Sequence, residues 1–188
     1  QYLPLLELSV AEDPEDDRNL HYLGREYLYY GRWDDCIRTL TQHLSLPSAV
    51  WRDERAASMR YIARAHARKG ERDEARDWYL RAAAEAPHLR EPWTDLAMLL
   101  YEDQEWDGVL YATACALKIR ERPRTYICEA EAWGSLPHDL RCQAYYHTGR
   151  LPQALEEARL ALAAAPSDPR LAGNAALLEK MAGTAGEL

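Results

Sequence analysis

The amino-acid sequence predicts an all-α fold of stacked antiparallel helix pairs wound into a right-handed superhelix, and three observations predict it. First, a template of about 34 residues recurs four times, anchored on a turn residue that reads Gly31, Gly70, Gln104 and Gly149. Second, fixed columns of the template hold apolar or small residues at helical spacing. Position 4 holds Leu20, Met59 and Trp93, and position 7 holds Leu23, Ile62 and Leu96. Position 8 holds a small side chain in Gly24, Ala63, Ala97 and Cys142, and position 20 does so in Cys36, Ala75, Val109 and Ala154. Third, a proline closes the template at Pro47, Pro87 and Pro166. A helix pair with one apolar face buries it only by stacking on neighbours, so these columns are satisfied together only in an array.

The period and columns resemble the tetratricopeptide (TPR) repeat, a helix–turn–helix unit that names a binding scaffold rather than a chemistry. Residues 1–16 read as the second helix of a truncated repeat: Leu6 and Val10 fall on its core columns, Pro14 takes the closing position, and a first helix is expected upstream. Asp13, Glu15, Asp16 and Asp17 form an acidic run that reads as an N-cap and dipole compensation for the helix starting near Asp17 rather than as a metal site, because the run lies on one loop with no converging second ligand set. Unit one spans residues 17–50. Unit two spans 51–89, its first helix lengthened by the five residues 51–55, and unit three spans 90–123. Gln104 in the glycine column predicts a locally different turn there. In the insertion 124–134, Tyr126, Ala130 and Trp133 are spaced for one face of a short extra helix ended by Gly134. Unit four spans 135–168, and residues 169–188 form a capping helix and tail with Pro169 in its first turn.

Composition narrows the function classes. A chain of 188 residues, 47% hydrophobic, can bury one continuous core. Its apolar runs are too short to span a bilayer, and nothing resembles a signal peptide. A net charge of −8 argues against nucleic acid and acidic membranes as partners. Cys36, Cys115, Cys128 and Cys142 show neither CxxC spacing nor a histidine ligand pattern, and two of them fall in the small-residue columns. Those two, Cys36 and Cys142, read as packed core thiols, and the protein as reduced and cytoplasmic. No cofactor or metal is expected.

No set of catalytic groups converges in the pattern. Glu105, Trp106 and Asp107 look like a metal-holding acid pair, but they start a second helix, where acids offset the macrodipole just as Asp34, Asp35, Asp73 and Glu74 do. His138 and Asp139 follow Pro137 at a helix start and read as capping or surface residues, and His66 reads as a partly buried packing histidine.

The concave groove is the expected site. In this repeat the first helices line it through positions 2, 5, 9, 12 and 13. Those columns hold Arg18, His21, Arg25, Leu28 and Tyr29 in unit one, and Ala57, Arg60, Arg64, Ala67 and Arg68 in unit two. They hold Glu91, Thr94, Met98, Tyr101 and Glu102 in unit three, and Leu136, Asp139, Gln143, Tyr146 and His147 in unit four. Arg60, Arg64 and Arg68 form one stripe, a basic patch in an acidic protein suited to an acidic protein or peptide partner. The competing reading pairs these arginines with Glu26, Asp53 or Glu54 and leaves them a solvated face. The groove set is therefore Arg25, Tyr29, Arg60, Arg64, Arg68, Met98, Tyr101 and Tyr146. The two-lysine, two-asparagine clamp of chaperone-binding TPR domains is not matched: the corresponding positions carry His21, Arg25, Tyr61, Glu91 and Asp95.

Longer strings carry a second resemblance. Asp13-Pro14-Glu15-Asp16-Asp17-Arg18 leads into Tyr22-Leu23-Gly24-Arg25-Glu26-Tyr27. Trp78-Tyr79-Leu80-Arg81-Ala82, Arg90-Glu91-Pro92, Glu131-Ala132-Trp133-Gly134 and Asp168-Pro169-Arg170-Leu171 follow. In this order and spacing they resemble the C-terminal TPR region of bacterial family 2 glycosyltransferases. That resemblance implies a non-catalytic interaction segment of such an enzyme, binding a protein partner, an acceptor or its own upstream catalytic domain. The family's nucleotide-sugar fold and acidic metal motif have no counterpart in these residues, so no catalytic residue is carried over. The alternative is a free-standing adaptor for an acidic peptide.

Overall fold

The computed structural model describes residues 2–185, over which it holds ten α-helices, one 3-10 turn and no strand. Gln1 and the expected tail at 186–188 lie outside the described residues. One compact unit, ending at Pro87, contains α1 (Leu3–Glu12), α2 (Asp17–Tyr29), α3 (Trp33–Ser45), α4 (Arg52–Lys69) and α5 (Arg72–Glu85). The other, starting at His88, contains α6 (Glu91–Glu102), α7 (Trp106–Lys118), the 3-10 turn (Ala130–Trp133), α8 (Leu136–His147), α9 (Leu151–Ala164) and α10 (Pro169–Ala185). Within each unit successive helices pack on one another, and the first helices of adjacent pairs also touch, α2 on α4 and α6 on α8.

Local chemistry sets the helix ends. Asp16 caps α2, its carboxylate accepting the Asn19 N–H at 2.9 Å and the Asn19 side-chain amide at 2.8 Å. Asp13 Oδ1 accepts from the Glu15 N–H, so these members of the acidic run serve the turn. Asp168 repeats the device at α10, accepting from Arg170 and Leu171. Prolines occupy the first turns of α1, α6, α8 and α9, where a missing N–H costs nothing.

The four turns inside the pairs are alike, against the expectation for Gln104. Gly31, Gly70 and Gly149 have φ of 73°, 82° and 72°, and Gln104 takes the same left-handed region at 59°. All four donate to the carbonyl three residues back, and the following N–H reaches the carbonyl five back, as in Gln104 to Tyr101 at 3.0 Å and Glu105 to Leu100 at 2.9 Å. This double closure satisfies the last carbonyls of the first helix, and it is kept even where a side chain must bear the left-handed strain.

The small-residue columns are where helices touch. An added Cβ on Gly24 would lie 2.4 Å from Leu40 Cδ2, so glycine there is a packing requirement of the α2–α3 pair. Cys36, Ala75, Val109 and Ala154 are all fully buried. Between the apolar layers lies a polar stitch. Ser58 Oγ sits 2.8 Å from His21 Nδ1 and 3.0 Å from His43 Nδ1, and His43 Nε2 lies 3.6 Å from Glu54 Oε1. It joins α2, α3 and α4 through side chains that are nearly or fully buried.

The insertion after α7 differs from its expected helix. Its only helical part is the single 3-10 turn Ala130–Trp133, and the segment's buried anchors are Ile127 and Ala132, while Tyr126 and Ala130 are exposed. The segment is hooked to the start of α6. Buried Glu91 accepts from the Glu129 N–H at 3.0 Å and from Trp133 Nε1 at 2.9 Å. Arg90 donates to the Ile119 carbonyl at 2.8 Å and lies 4.3 Å from the Trp133 ring centroid. These side-chain anchors do the work that a longer backbone helix was expected to do.

Both the strained turn and the polar stitch can be tested by substitution. Gln104→Gly relieves the left-handed strain and raises stability by about 1 kcal/mol, measured as the urea midpoint at unchanged m-value. Acid titration tests the stitch. Burial, reinforced by His43 and Arg25 and opposed by Glu54, lowers the His21 pKa to about 4 from 6.5. Between those values the unfolded chain binds a proton that the folded chain refuses, so stability rises with pH from 4 to 6.5. The gain is about 3 kcal/mol. His21→Gln flattens that slope in melts recorded across the range.

Candidate partner-binding surface

The groove columns divide into two classes. Position 5 is buried throughout, in His21, Arg60, Thr94 and Asp139. The His21–Ser58 contact shows why in the first unit: position 5 of α2 turns toward the neighbouring first helix, α4, rather than into open space. Arg60 is 0% exposed, which corrects its assignment to an open groove. Positions 9 and 13 stay open or half-open in every pair, in Arg25 and Tyr29, Arg64 and Arg68, Met98 and Glu102, and Gln143 and His147.

In the first unit the open columns form a ladder of cations and rings along α2. Arg18 Cζ lies 5.6 Å from the Tyr22 ring centroid, and Arg25 Cζ lies 5.1 Å from Tyr22 and 6.0 Å from Tyr29. The order Arg18, Tyr22, Arg25, Tyr29 runs at helical spacings of four, three and four, placing all four on one side of the helix. Tyr29 is 65% exposed. Arg25 makes a 3.5 Å ion pair with its neighbour Glu26, and its planar fork is held between two rings. On α4, Arg64 is half-buried with its Cζ 5.8 Å from the Tyr61 ring, and Arg68 is exposed.

The second unit offers aromatic surface instead. Trp106 and His147 stack at 4.3 Å with planes 6° apart, Tyr101 meets Trp106 edge-on at 5.8 Å, and Tyr146 meets His147 edge-on at 5.4 Å. Tyr146 remains exposed within this cluster, and Met98 is exposed on α6. Sequence reasoning placed Tyr101, Tyr146 and Met98 here but missed Trp106, because it belongs to a second helix and reaches the site only by stacking. It also passed over Tyr22, although the alternation of Arg and Tyr at helical spacing signalled it.

Several other titratable groups serve the packing. Asp139 is buried, not superficial, and binds Arg170 Nη1 at 2.8 Å, tying α10 to α8. His138 Nδ1 and Arg141 Nε hold Glu157 at 2.7 and 2.8 Å. Burial opposes ionisation of Glu157, but these two partners outweigh it and keep its pKa below the usual value. His66 is half-buried against Glu71 at 2.6 Å. Burial raises the thiols of Cys36 and Cys142 to about 12 and about 11, which leaves them protonated and poor nucleophiles. Glu105 and Asp107 are exposed, and among the described residues no three His, Cys, Asp or Glu side chains converge as a metal site. No described helix is long and apolar enough to cross a membrane.

No protein-family model matches the chain, and no curated protein matches it significantly. Solved structures do match. MamA aligns at TM-score 0.68 and 19% identity, covering 85% of this chain and 84% of MamA. TTC0263, a thermophilic TPR protein of Thermus thermophilus, aligns at 0.63 and 19%, covering 94% and 88%. YrrB, described as a TPR protein with an unusual peptide-binding site, aligns at 0.67 and 13%, covering 95% and 84%. At these identities the likeness establishes the fold alone: the chain is built as a TPR-type helical repeat.

The two classes of arginine respond oppositely to charge reversal. Arg60→Glu inverts a fully buried charge and destabilises by about 3–5 kcal/mol or prevents folding. Arg68→Glu shifts stability by no more than about 0.5 kcal/mol. Thermal melts of the two variants beside the parent chain check both.

Proposed function

We propose that this chain is a non-catalytic protein-interaction scaffold whose first unit binds an acidic segment of a protein partner. The observation that carries this reading is the ladder of Arg18, Tyr22, Arg25 and Tyr29 on α2, with exposed Arg68 on α4. Guanidinium forks suit carboxylates, and the rings pre-order them and add rigid contact surface. A local basic face on a chain of net charge −8 favours an acidic segment over a generic anion surface, since the rest of the molecule repels extended polyanions such as nucleic acid. The peptide-binding site named for YrrB supports peptide capture on the same architecture.

A second reading concerns context. The strings shared with the C-terminal TPR region of family 2 glycosyltransferases favour a scaffold that serves such an enzyme, holding an acceptor, a partner or the catalytic domain itself. The reading frame on the 5′ side of the Gln1 codon tests it: a glycosyltransferase domain there supports the reading, and an unrelated domain removes it. Cytoplasmic placement accords with four free cysteines, two of them buried.

Binding of a fluorescent acidic peptide, such as a Glu- and Asp-rich dodecamer, tests the ladder. Affinity falls as salt is added and falls at least tenfold in the double variant Arg25→Glu and Arg68→Glu, while the melting curve of Arg68→Glu alone stays in place. Salt-independent binding, or binding unchanged in the double variant, rules the ladder out.

A further inference from the structure

We propose that the second unit carries an interaction surface of its own, in which the rings around the Trp106–His147 stack receive a cationic, arginine-bearing segment of a protein partner. The proposal is independent of the acidic segment assigned to α2. It rests on rings gathered from three helices beside a stretch of chain that holds no base. Tyr101 comes from the last turn of α6, Trp106 opens α7, and Tyr146 and His147 close α8. Trp106 and His147 lie parallel at 4.3 Å, and Tyr101 and Tyr146 flank that pair at 5.8 and 5.4 Å, inclined by 70° and 76° to the ring each one meets. Rings held in this way form a pre-ordered surface, because little side-chain freedom is left to lose on binding. Tyr146 and His147 are exposed, and Tyr101 and Trp106 are half-buried.

The charge around the rings selects the occupant. From Glu91 to Leu117 the sequence holds six acids and no lysine, arginine or histidine. Glu91 is buried and taken up by the insertion, but Glu102, Asp103, Glu105 and Asp107 are exposed and stand next to Tyr101 and Trp106 along the chain. Arg150 Nη2 reaches Asp107 at 3.4 Å, a contact between two open side chains that water screens. The open groove columns repeat the pattern. Positions 9 and 13 hold Met98 and Glu102 on α6 and Gln143 and His147 on α8, where the first unit has Arg25, Tyr29, Arg64 and Arg68. One template thus sets arginines beside tyrosines in the first unit and carboxylates beside rings in the second.

Rings and carboxylates suit the same guest. Ring faces attract a guanidinium, and a carboxylate receives its fork in paired hydrogen bonds. The acids are spread along the turn, and among the described residues no three His, Cys, Asp or Glu side chains converge to hold a metal ion, so a series of separate cations fits better than a single ion. An exposed cation–ring contact is too weak to retain a lone ammonium, whereas a protein segment brings several cations at once. A polyanion such as nucleic acid meets repulsion at this surface.

Fluorescence anisotropy of a labelled dodecamer of alternating arginine and serine, titrated with the intact 188-residue chain, tests this. Three variants are compared with the parent, each checked for unchanged helical circular dichroism. A surface variant carries Glu102→Gln, Asp103→Asn and Glu105→Gln. A control makes the same change of charge at exposed positions of the first unit, with Glu12→Gln, Glu15→Gln and Asp77→Asn. The third, Tyr146→Ala, removes a ring and no charge. Binding weakens about tenfold in the surface variant, about threefold in Tyr146→Ala and by less than about twofold in the control. Equal losses in the two charge variants mark attraction by net charge alone and overturn the proposal. So does a Tyr146→Ala chain that binds as the parent does, and so does a parent that leaves the peptide unbound at about 1 mM. The other candidate occupant is a second copy, whose arginines supply the cations. In that case light scattering shows the parent, but not the surface variant, associating as concentration rises, and this result overturns the assignment to a separate partner.

Discussion

Close approach of helices at the small-residue columns is the constraint from which the rest of this structure follows. Gly24 leaves no room for even a methyl group beside Leu40, and position 20 is fully buried in all four pairs. Helices held this near must cross at a fixed angle and bury whatever flanks the contact, so the chain has little freedom in how the two helices of a pair meet. The turns inside the pairs are subordinate to that demand. Gln104 accepts a left-handed backbone, at φ 59°, that glycine would take without strain, because the helix that follows must return along the same line.

Polar groups do a different job from the apolar columns. They join helices through side chains at the packed faces. Ser58, shared by His21 and His43, pins three helices of the first unit through one hydroxyl. In the second unit Glu157 gathers His138 and Arg141, and Asp139 holds Arg170. Glu91 anchors the insertion by accepting from a backbone N–H and an indole. Each of these buried groups is costly without its partner, so each makes one arrangement preferable to its near neighbours.

Burial then decides which side chains of the first helices stay open. With position 5 consumed by packing, the open surface of the first helices reduces mainly to positions 9 and 13 and the rings beside them. In the first unit that surface is cationic and aromatic, and in the second it is aromatic around the Trp106–His147 stack. The two faces have different chemistry although they come from the same template, because the columns that the packing does not fix are free to vary.

The helical class, the pairing of helices and the turn positions were legible in the sequence, because a helix pair that must bury one face writes small and apolar residues into fixed columns. The N-cap at Asp16, within the acidic run, was legible for the same local reason, whereas the cap at Asp168 was not read as one. Other features depend on contacts between residues far apart along the chain. Arg60 stands at the same four-residue spacing as Arg64 and Arg68, and only the packing around it shows that it is core. Asp139 read as a surface residue until Arg170 came to meet it across the fold. The insertion scanned as a helix from three residues of its own, whereas its conformation is set by Glu91 and Arg90 some forty residues earlier. Periodicity determined which side of each helix faces protein; the tertiary structure alone decided which polar residues on that side found partners, because a buried charge survives only where a distant group compensates it.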